Sequence, residues 1–377
     1  MVCTRRIGDV LLATPVVHSL KAAYPDLAVD MLVFEGTEEA VSSWPTVRRV
    51  WTIAERATVQ SHLALLRSLV RKYDLALSVL AGDRPTFYAW VAGRYRVGTL
   101  LGDNKSRWKR ALLDRWVPFD NLSTHTVAMN LRLLESLEVQ PHPTPVVSWS
   151  RADEASVRLV FPGVDDLTRY AVLHVSPKYA YKTWTVEGWV AIGQWLTDHG
   201  LTVVVTGGAS PDEQAYCENV IQGLPKASVN LAGLVGLPSL GYVLSRAALY
   251  VGTDTAVSHM AAAVGVPTIV LFGPSNPVKW GPWPKDFLAT VPSPWRTRGT
   301  QRQGNVVLIQ GEGDCVPCLH EGCDRHINSL SECLQRLPAS RVIQAAETLL
   351  AEQRGPAHPA GDPVTFSGNV TCKGQGG

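Results

Sequence analysis

Short runs of aliphatic and β-branched residues alternate with helical periodicity along the whole chain, the rhythm of parallel α/β units. In the first part, Val29–Phe34 and Leu75–Leu80 are predicted strands. Between them, Val59–Lys72 predicts a helix carrying Val59, Leu63, Leu66 and Leu69–Val70 on one face. His125–Leu137 predicts another amphipathic helix, and Pro141, Pro143 and Pro145 mark a linker. The rhythm then repeats. Tyr170–Val175 predicts a strand and Val186–His199 a helix stopped by Gly200. Leu201–Thr206 predicts a strand closed by Gly207–Gly208, and a helix starts at Pro211. Ala247–Val251 and Pro267–Phe272 are further strands, separated by a helix after Asp254, and Ser340–Gln353 predicts the last helix. Two α/β halves of similar size, 1–150 and 151–353, are expected to face each other across a cleft, with the Gly- and Pro-rich 354–377 as a disordered tail.

Composition narrows the class. A chain of 377 residues with 46% hydrophobic and 18% charged residues has ample material for two cores, which excludes a disordered chain. Lys plus Arg total 35 against 33 acidic residues, a net +2 that argues against a dedicated nucleic-acid binder. No run approaches the roughly 18 apolar residues of a membrane-spanning helix. Arg5, Arg6 and Val10–Val17 imitate a secretory leader, but Gly8, Asp9 and Pro15 interrupt the pattern and no small-residue cleavage site follows. Seven unevenly spaced cysteines do not make a disulfide framework, so a cytosolic protein is expected.

Three loops carry candidate chemistry. Thr4-Arg5-Arg6-Ile7-Gly8-Asp9 follows a very short apolar start and leads into a helix expected to break near Pro15. In an open α/β sheet the loop after a strand's carboxyl end faces the ligand crevice, with Gly8 permitting a tight turn there. Asp9 is therefore either a helix cap or a general base. In the second loop, Val251 runs into Gly252-Thr253-Asp254-Thr255 and a helix, aiming backbone N–H groups and a positive dipole end at one point. That suits a diphosphate. Thr255 and Ser258 would add hydroxyls, and His259 lies one turn on, either as a site residue or as an ordinary helix histidine. The third loop, Ser176–Trp184, presents Lys182 as a mobile positive charge.

These segments resemble the ADP-heptose:lipopolysaccharide heptosyltransferases of glycosyltransferase family 9, heptosyltransferase III-type members most closely. The likeness covers residues 1 to 350: Arg6-Ile-Gly-Asp9 through Thr14-Pro15, His125 with Asn130-Leu-Arg-Leu-Leu134, Lys182-x-Trp184, Asp254-Thr-Ala-Val-Ser-His259 and Phe272-Gly-Pro-Ser275. It implies an inverting, metal-independent enzyme of the GT-B type, with two Rossmann-like domains. The first would bind the acceptor and the second the ADP-sugar. Asp9 would be the base and Lys182 the lysine on the donor phosphates. Ser176, Glu213, Asp254, Thr255, Ala256, Ser258 and His259 would complete the donor site. The implied partners are ADP-heptose, a lipopolysaccharide core or lipid A acceptor, and the cytoplasmic face of the inner membrane, with no cofactor required. Ala256 departs from the Gly of some members, and the unusually short first strand suggests a shortened start.

Other features bear on partners. No Asp-x-Asp pair occurs, so the usual carboxylate clamp for a metal-bound nucleotide sugar is missing. Between Arg94 and Arg115 lie Arg94, Arg96, Lys105, Arg107, Lys109 and Arg110, either a solvated face or, with Arg6 and the nearby Trp108 and Trp116, a surface for an anionic acceptor or lipid. Cys315, Cys318, Cys323 and Cys333 form a cluster that reads as a structural zinc site or as reduced, partly buried thiols. Three rival readings remain. One is another GT-B sugar-nucleotide enzyme, either a different glycosyltransferase or a nucleotide-sugar epimerase. A dinucleotide oxidoreductase is disfavoured because no G-x-G-x-x-G follows a strand, and a zinc-clustered scaffold would bind metal but no ADP-sugar.

Overall fold

The computed structural model describes residues 1–103, 106–165, 169–288 and 291–353. Lys105 and the expected tail 354–377 lie outside the described residues. The first sheet contains β1 (Val2–Cys3), β2 (Val29–Phe34), β3 (Val47–Ile53), β4 (Tyr73–Ser78), β5 (Gly93–Leu100) and β6 (Arg115–Pro118). Its order is β3-β2-β1-β4-β5-β6 and every pairing is parallel. The second sheet contains β7 (Tyr170–His174), β8 (Thr202–Thr206), β9 (Val229–Asn230), β10 (Leu249–Thr253), β11 (Thr268–Phe272), β12 (Gln301–Gln303) and β13 (Val306–Gln310). It runs β12-β13-β11-β10-β7-β8-β9, parallel except for the β12–β13 edge.

Each sheet begins at a central strand, winds outward on one side and then returns to the other. The winding reverses between β1 and β4 and between β7 and β10, where consecutive loops diverge and open a crevice at the strands' carboxyl ends. The loops after β1, β7 and β10 are the three that carry the candidate chemistry. The two-domain architecture is of the GT-B type.

The helix Ile7–Ala23 joins the halves, and it runs unbroken through Pro15 rather than stopping there. Proline removes the N–H that would bond the Leu11 carbonyl. The Thr14 hydroxyl takes that carbonyl at 2.6 Å, and the Asn130 amide bonds the Leu12 carbonyl at 3.0 Å. Thr14 also accepts the Val146 N–H at 2.8 Å, while Ser19 accepts that of His142 at 2.8 Å, so the Pro-rich linker is stitched along this helix. Leu11 packs into the second half's core with Val257 and Met260.

Elsewhere the local pattern needed correction. The helix Val59–Leu69 buries Leu65 and Leu69, whereas Val59, Leu63 and Val70 are exposed. A helix this rich in apolar residues carries several plausible stripes, and only its neighbour decides which one packs. The predicted helix 125–137 is an α-helix, Thr126–Leu131, followed by a 3-10 helix, Arg132–Leu137. His125 caps it, its Nδ1 accepting the Val127 N–H at 3.1 Å.

Candidate active site

Asp9 is the third residue of the helix Ile7–Ala23 and is 7% exposed. Its carboxylate accepts the Arg6 backbone N–H, the cap role, while Oδ1 is buried with no hydrogen-bond partner among the described residues. Burial raises its pKa, and Arg5, the Arg6 amide and charge, and Lys279 oppose that shift. One oxygen thus holds the helix and the other remains basic. Gly8 is helical and makes no tight turn. It faces the other half instead, where a Cβ on it would lie 3.8 Å from His259 Cδ2 and 3.9 Å from Ala256.

Across that contact, Thr255 starts the helix Ala256–Val264 without a side-chain cap, leaving its first amides with no side-chain acceptor from the cap. The Thr253 and Thr255 hydroxyls are buried and have no hydrogen-bond partner among the described residues. Lys182 Nζ lies 2.6 Å from Asp254 Oδ2 and donates to the Asp254 carbonyl at 3.1 Å. Burial works against the Asp254 carboxylate, but Lys182, aided by Ser275, more than offsets it and holds the pKa below the ordinary value. His259 is 4% exposed and burial pushes it down to about 4, so it is neutral at pH 7 with Nδ1 unpaired. Ser176 is buried just beyond β7, and the Arg6 guanidinium crosses the interface to stack 4.5 Å above the Tyr179 ring.

A cleft opens beside Asp9, lined also by Arg5, Asp120, Thr124, Asn130 and Lys279. Asp9 opens on this cleft, while its chain neighbour Gly8 meets the start of the helix Ala256–Val264, so the loop after β1 lies between the two.

The sequence profile of glycosyltransferase family 9 (heptosyltransferase) matches residues 62–293. The chain belongs to this family. This family 9 glycosyltransferase is 28% identical over 355 residues to lipopolysaccharide heptosyltransferase 3 of Escherichia coli K12, covering 92% of this chain and 96% of the relative. It is 24% identical to lipopolysaccharide heptosyltransferase 1 of Pseudomonas aeruginosa, covering 93% and 97%. Among solved structures, a family 9 glycosyltransferase from Veillonella parvula superposes with a TM-score of 0.76 at 18% identity, covering 93% of this chain and 96% of that one. The E. coli heptosyltransferase WaaC with ADP gives 0.69 at 20% identity, covering 92% and 98%.

Not every predicted residue of the glycosyltransferase reaches the cleft. Ser258 Oγ donates to the Thr253 carbonyl at 2.5 Å and lies 2.9 Å from the Tyr250 hydroxyl, so it fastens the loop from beneath instead of offering a hydroxyl to a ligand. Glu213 is half-buried in the first turn of the helix Pro211–Gly223, where Ser210 Oγ donates to it at 2.7 Å beside Gly208. The basic patch is divided. Arg96 is committed to Asp114 at 2.7 Å, and Lys109, 4% exposed, to Asp83 at 2.9 Å. Arg94 pairs with Asp74 at the amino end of β5, about 20 Å of strand away from the turn Arg107–Arg110. Those residues fall within or just after a strand that the basic sequence concealed.

The cysteine cluster, read as a structural zinc site or as reduced, partly buried thiols, is not gathered into a metal-ligand set in this structure. Cys315 and Cys323 are exposed and Cys318 and Cys333 half-buried, all as free thiols. Among the described residues no three His, Cys, Asp or Glu side chains converge to hold a metal ion. Cys333 is pushed up to about 11 by burial, with the thiols of Cys318, Cys323 and Cys315 adding to the shift.

Arg5, Asp120, Thr124 and Lys279 were missed at the sequence level. Asn276-Pro277 ahead of Lys279-Trp280 signals a helix start, and the structure has one there, Pro277–Trp280. Nothing in that signal says where Lys279 points.

Proposed function

We propose that this glycosyltransferase moves a heptose from ADP-heptose to the lipopolysaccharide inner core, with inversion and without a metal. The observation that carries this reading is the approach of Gly8, next to Asp9, to Ala256 and His259, which brings the loop of the proposed base to the start of the helix Ala256–Val264. The likeness to lipopolysaccharide heptosyltransferase 3 supports the substrate class. Asp9 takes the proton of the acceptor hydroxyl as its oxygen bonds the anomeric carbon. The bond to the ADP phosphate breaks on the opposite face, and the departing diphosphate meets Lys182 and the amides of the helix Ala256–Val264. Incubation with ADP-heptose and a truncated core acceptor, read by mass spectrometry, tests this. A product heavier by one heptose is expected, and transfer from other sugar nucleotides alone would favour a different glycosyltransferase.

Lys182 and the helix N-terminus are assigned the electrostatic work a metal does in other sugar transferases, and the missing Asp-x-Asp agrees. Activity is therefore expected to persist in EDTA. Loss restored by Mg²⁺ or Mn²⁺ would contradict the metal-free step.

The acceptor is a glycolipid, so the reading includes reversible attachment to the cytoplasmic face of the inner membrane. Among the described residues no helix is long and apolar enough to cross a membrane. The exposed turn at Arg107, Trp108 and Arg110, with the Arg110 guanidinium 4.7 Å above the Trp116 ring, is the surface assigned to that contact. Basic residues near an anionic surface gain roughly 1 kcal/mol each, screened by salt. Sedimentation with anionic liposomes should fall as salt rises, and Arg107→Glu with Arg110→Glu should abolish it. Unchanged sedimentation of that double variant would leave the turn an ordinary solvated face.

A further inference from the structure

We propose that Lys279 and Arg5, one from each half of the molecule, form a subsite for an anionic substituent, a phosphate or carboxylate, carried by the acceptor sugar beside the hydroxyl that Asp9 deprotonates. The proposal rests on the reading of Asp9 as the base of acceptor glycosylation.

Lys279 sits on the short helix Pro277–Trp280, which belongs to the second half but is docked on the first. Thr126 Oγ1 donates to the Lys279 carbonyl at 3.1 Å, Asn276 Nδ2 donates to the Leu122 carbonyl at 2.8 Å, and His125 Nε2 lies 2.7 Å from the Gly281 carbonyl. These bonds carry the lysine across the interface into the cleft that Asp9 lines. There its side chain is nearly fully buried, 4.8 Å from the Phe119 ring centroid and 5.0 Å from that of Trp280.

An ammonium has three N–H donors. The structure accounts for one of them, given to Asn121 Oδ1. Among the described residues no carboxylate lies within 4 Å of Lys279. The nearest acidic groups are committed elsewhere. Asp120 spends one oxygen on the Leu122 and Ser123 amides, at 2.8 and 3.0 Å, and the other on the Thr124 hydroxyl at 2.8 Å. Asp9 has a single free oxygen, which the acceptor hydroxyl must reach. Arg5 lines the same cleft and, among the described residues, has no side-chain hydrogen bond or ion pair. Two cations thus flank the base, Lys279 with one N–H given to Asn121 and no carboxylate partner, and Arg5 with no side-chain partner, among the described residues. Burial pushes Lys279 down to about 8, with Arg5 adding to the shift and Asp9 and Asp120 opposing it, so the lysine is still charged at pH 7. A buried, partly unpaired cation and an exposed guanidinium around one cleft are suited to grip an oxyanion from two sides.

The test first saturates the protein with ADP, filling the diphosphate site, and then titrates inorganic phosphate or acetate by calorimetry. The parent is expected to bind one of them at a single site, phosphate or acetate telling which class the subsite takes. Lys279→Gln, which keeps a donor for Asn121, and Arg5→Gln, an exposed position that does not endanger folding, should each weaken that binding tenfold or more. In activity, the kcat/KM ratio between acceptors with and without the anionic substituent should fall about tenfold in each variant. Anion binding equal to the parent's in both variants, or an unchanged ratio, overturns the subsite and leaves Lys279 a structural or base-tuning residue. Failure of the parent to transfer heptose at all would instead sink the proposed function, while the phosphate titration still decides the subsite.

Discussion

Asp9→Asn is expected to lower turnover by roughly two to four orders of magnitude while donor affinity stays near that of the parent. The amide keeps the shape of the carboxylate and can still accept the Arg6 N–H, so the helix start survives. Only the basicity of the free oxygen is lost. In the parent, kcat/KM should rise with pH through an apparent pKa above 3.8, because burial disfavours the Asp9 carboxylate more than Arg5, Arg6 and Lys279 favour it. The variant should lose that acidic limb. Initial-rate measurement of ADP release across pH reads both quantities, and near-parent turnover would remove Asp9 from the mechanism.

The second large effect belongs to Lys182. Its ammonium is the close counter-ion of Asp254, whose side chain is 7% exposed against 20% for the lysine. Lys182→Ala strands that carboxylate, and breaking such a pair costs on the order of 3 kcal/mol of stability. It also removes the positive charge expected to meet the leaving diphosphate, so ADP-sugar binding should weaken by one to two orders of magnitude and turnover by more. The two effects separate in the double variant Lys182→Ala with Asp254→Asn. Removing both charges should recover most of the thermal stability, and donor affinity should remain poor. If donor affinity returned along with stability, Lys182 would be a structural counter-ion only.

Much of this was visible in the amino-acid order because the site sits where strands end. β7 and β10 were legible as aliphatic runs, and each terminates in the polar or glycine-containing loop that the chemistry needs. Parallel α/β winding then brings such loops together whatever the intervening sequence. What stayed hidden depends on contacts across the chain. β5 contains Arg94, which stays on the surface in an open pair with Asp74, and Arg96, which looks like surface but is tied down by Asp114. Lys279 carries no local sign of a role, since nothing in Asn276-Pro277 says that the helix it starts docks on the opposite half. Ser258 looked like a donor hydroxyl until its bond to the Thr253 carbonyl placed it beneath the loop.

The docking of Asn276, Lys279, Gly281 and Pro292 onto Leu122, His125 and Thr126 also constrains how members of such a family can exchange parts. Sheet topology alone suggests that the halves are interchangeable modules, with a graft point in the linker before residue 150. A hybrid cut there would inherit its own Asp9 and a foreign Lys279 face, so the acceptor cleft would be assembled from two unrelated lineages. His125 would then have to find a new partner for the Gly281 carbonyl it meets at 2.7 Å. If the cleft takes the acceptor as proposed, acceptor choice is a property of the pair of halves, and a change in one would have to be matched in a segment more than 150 residues away along the chain.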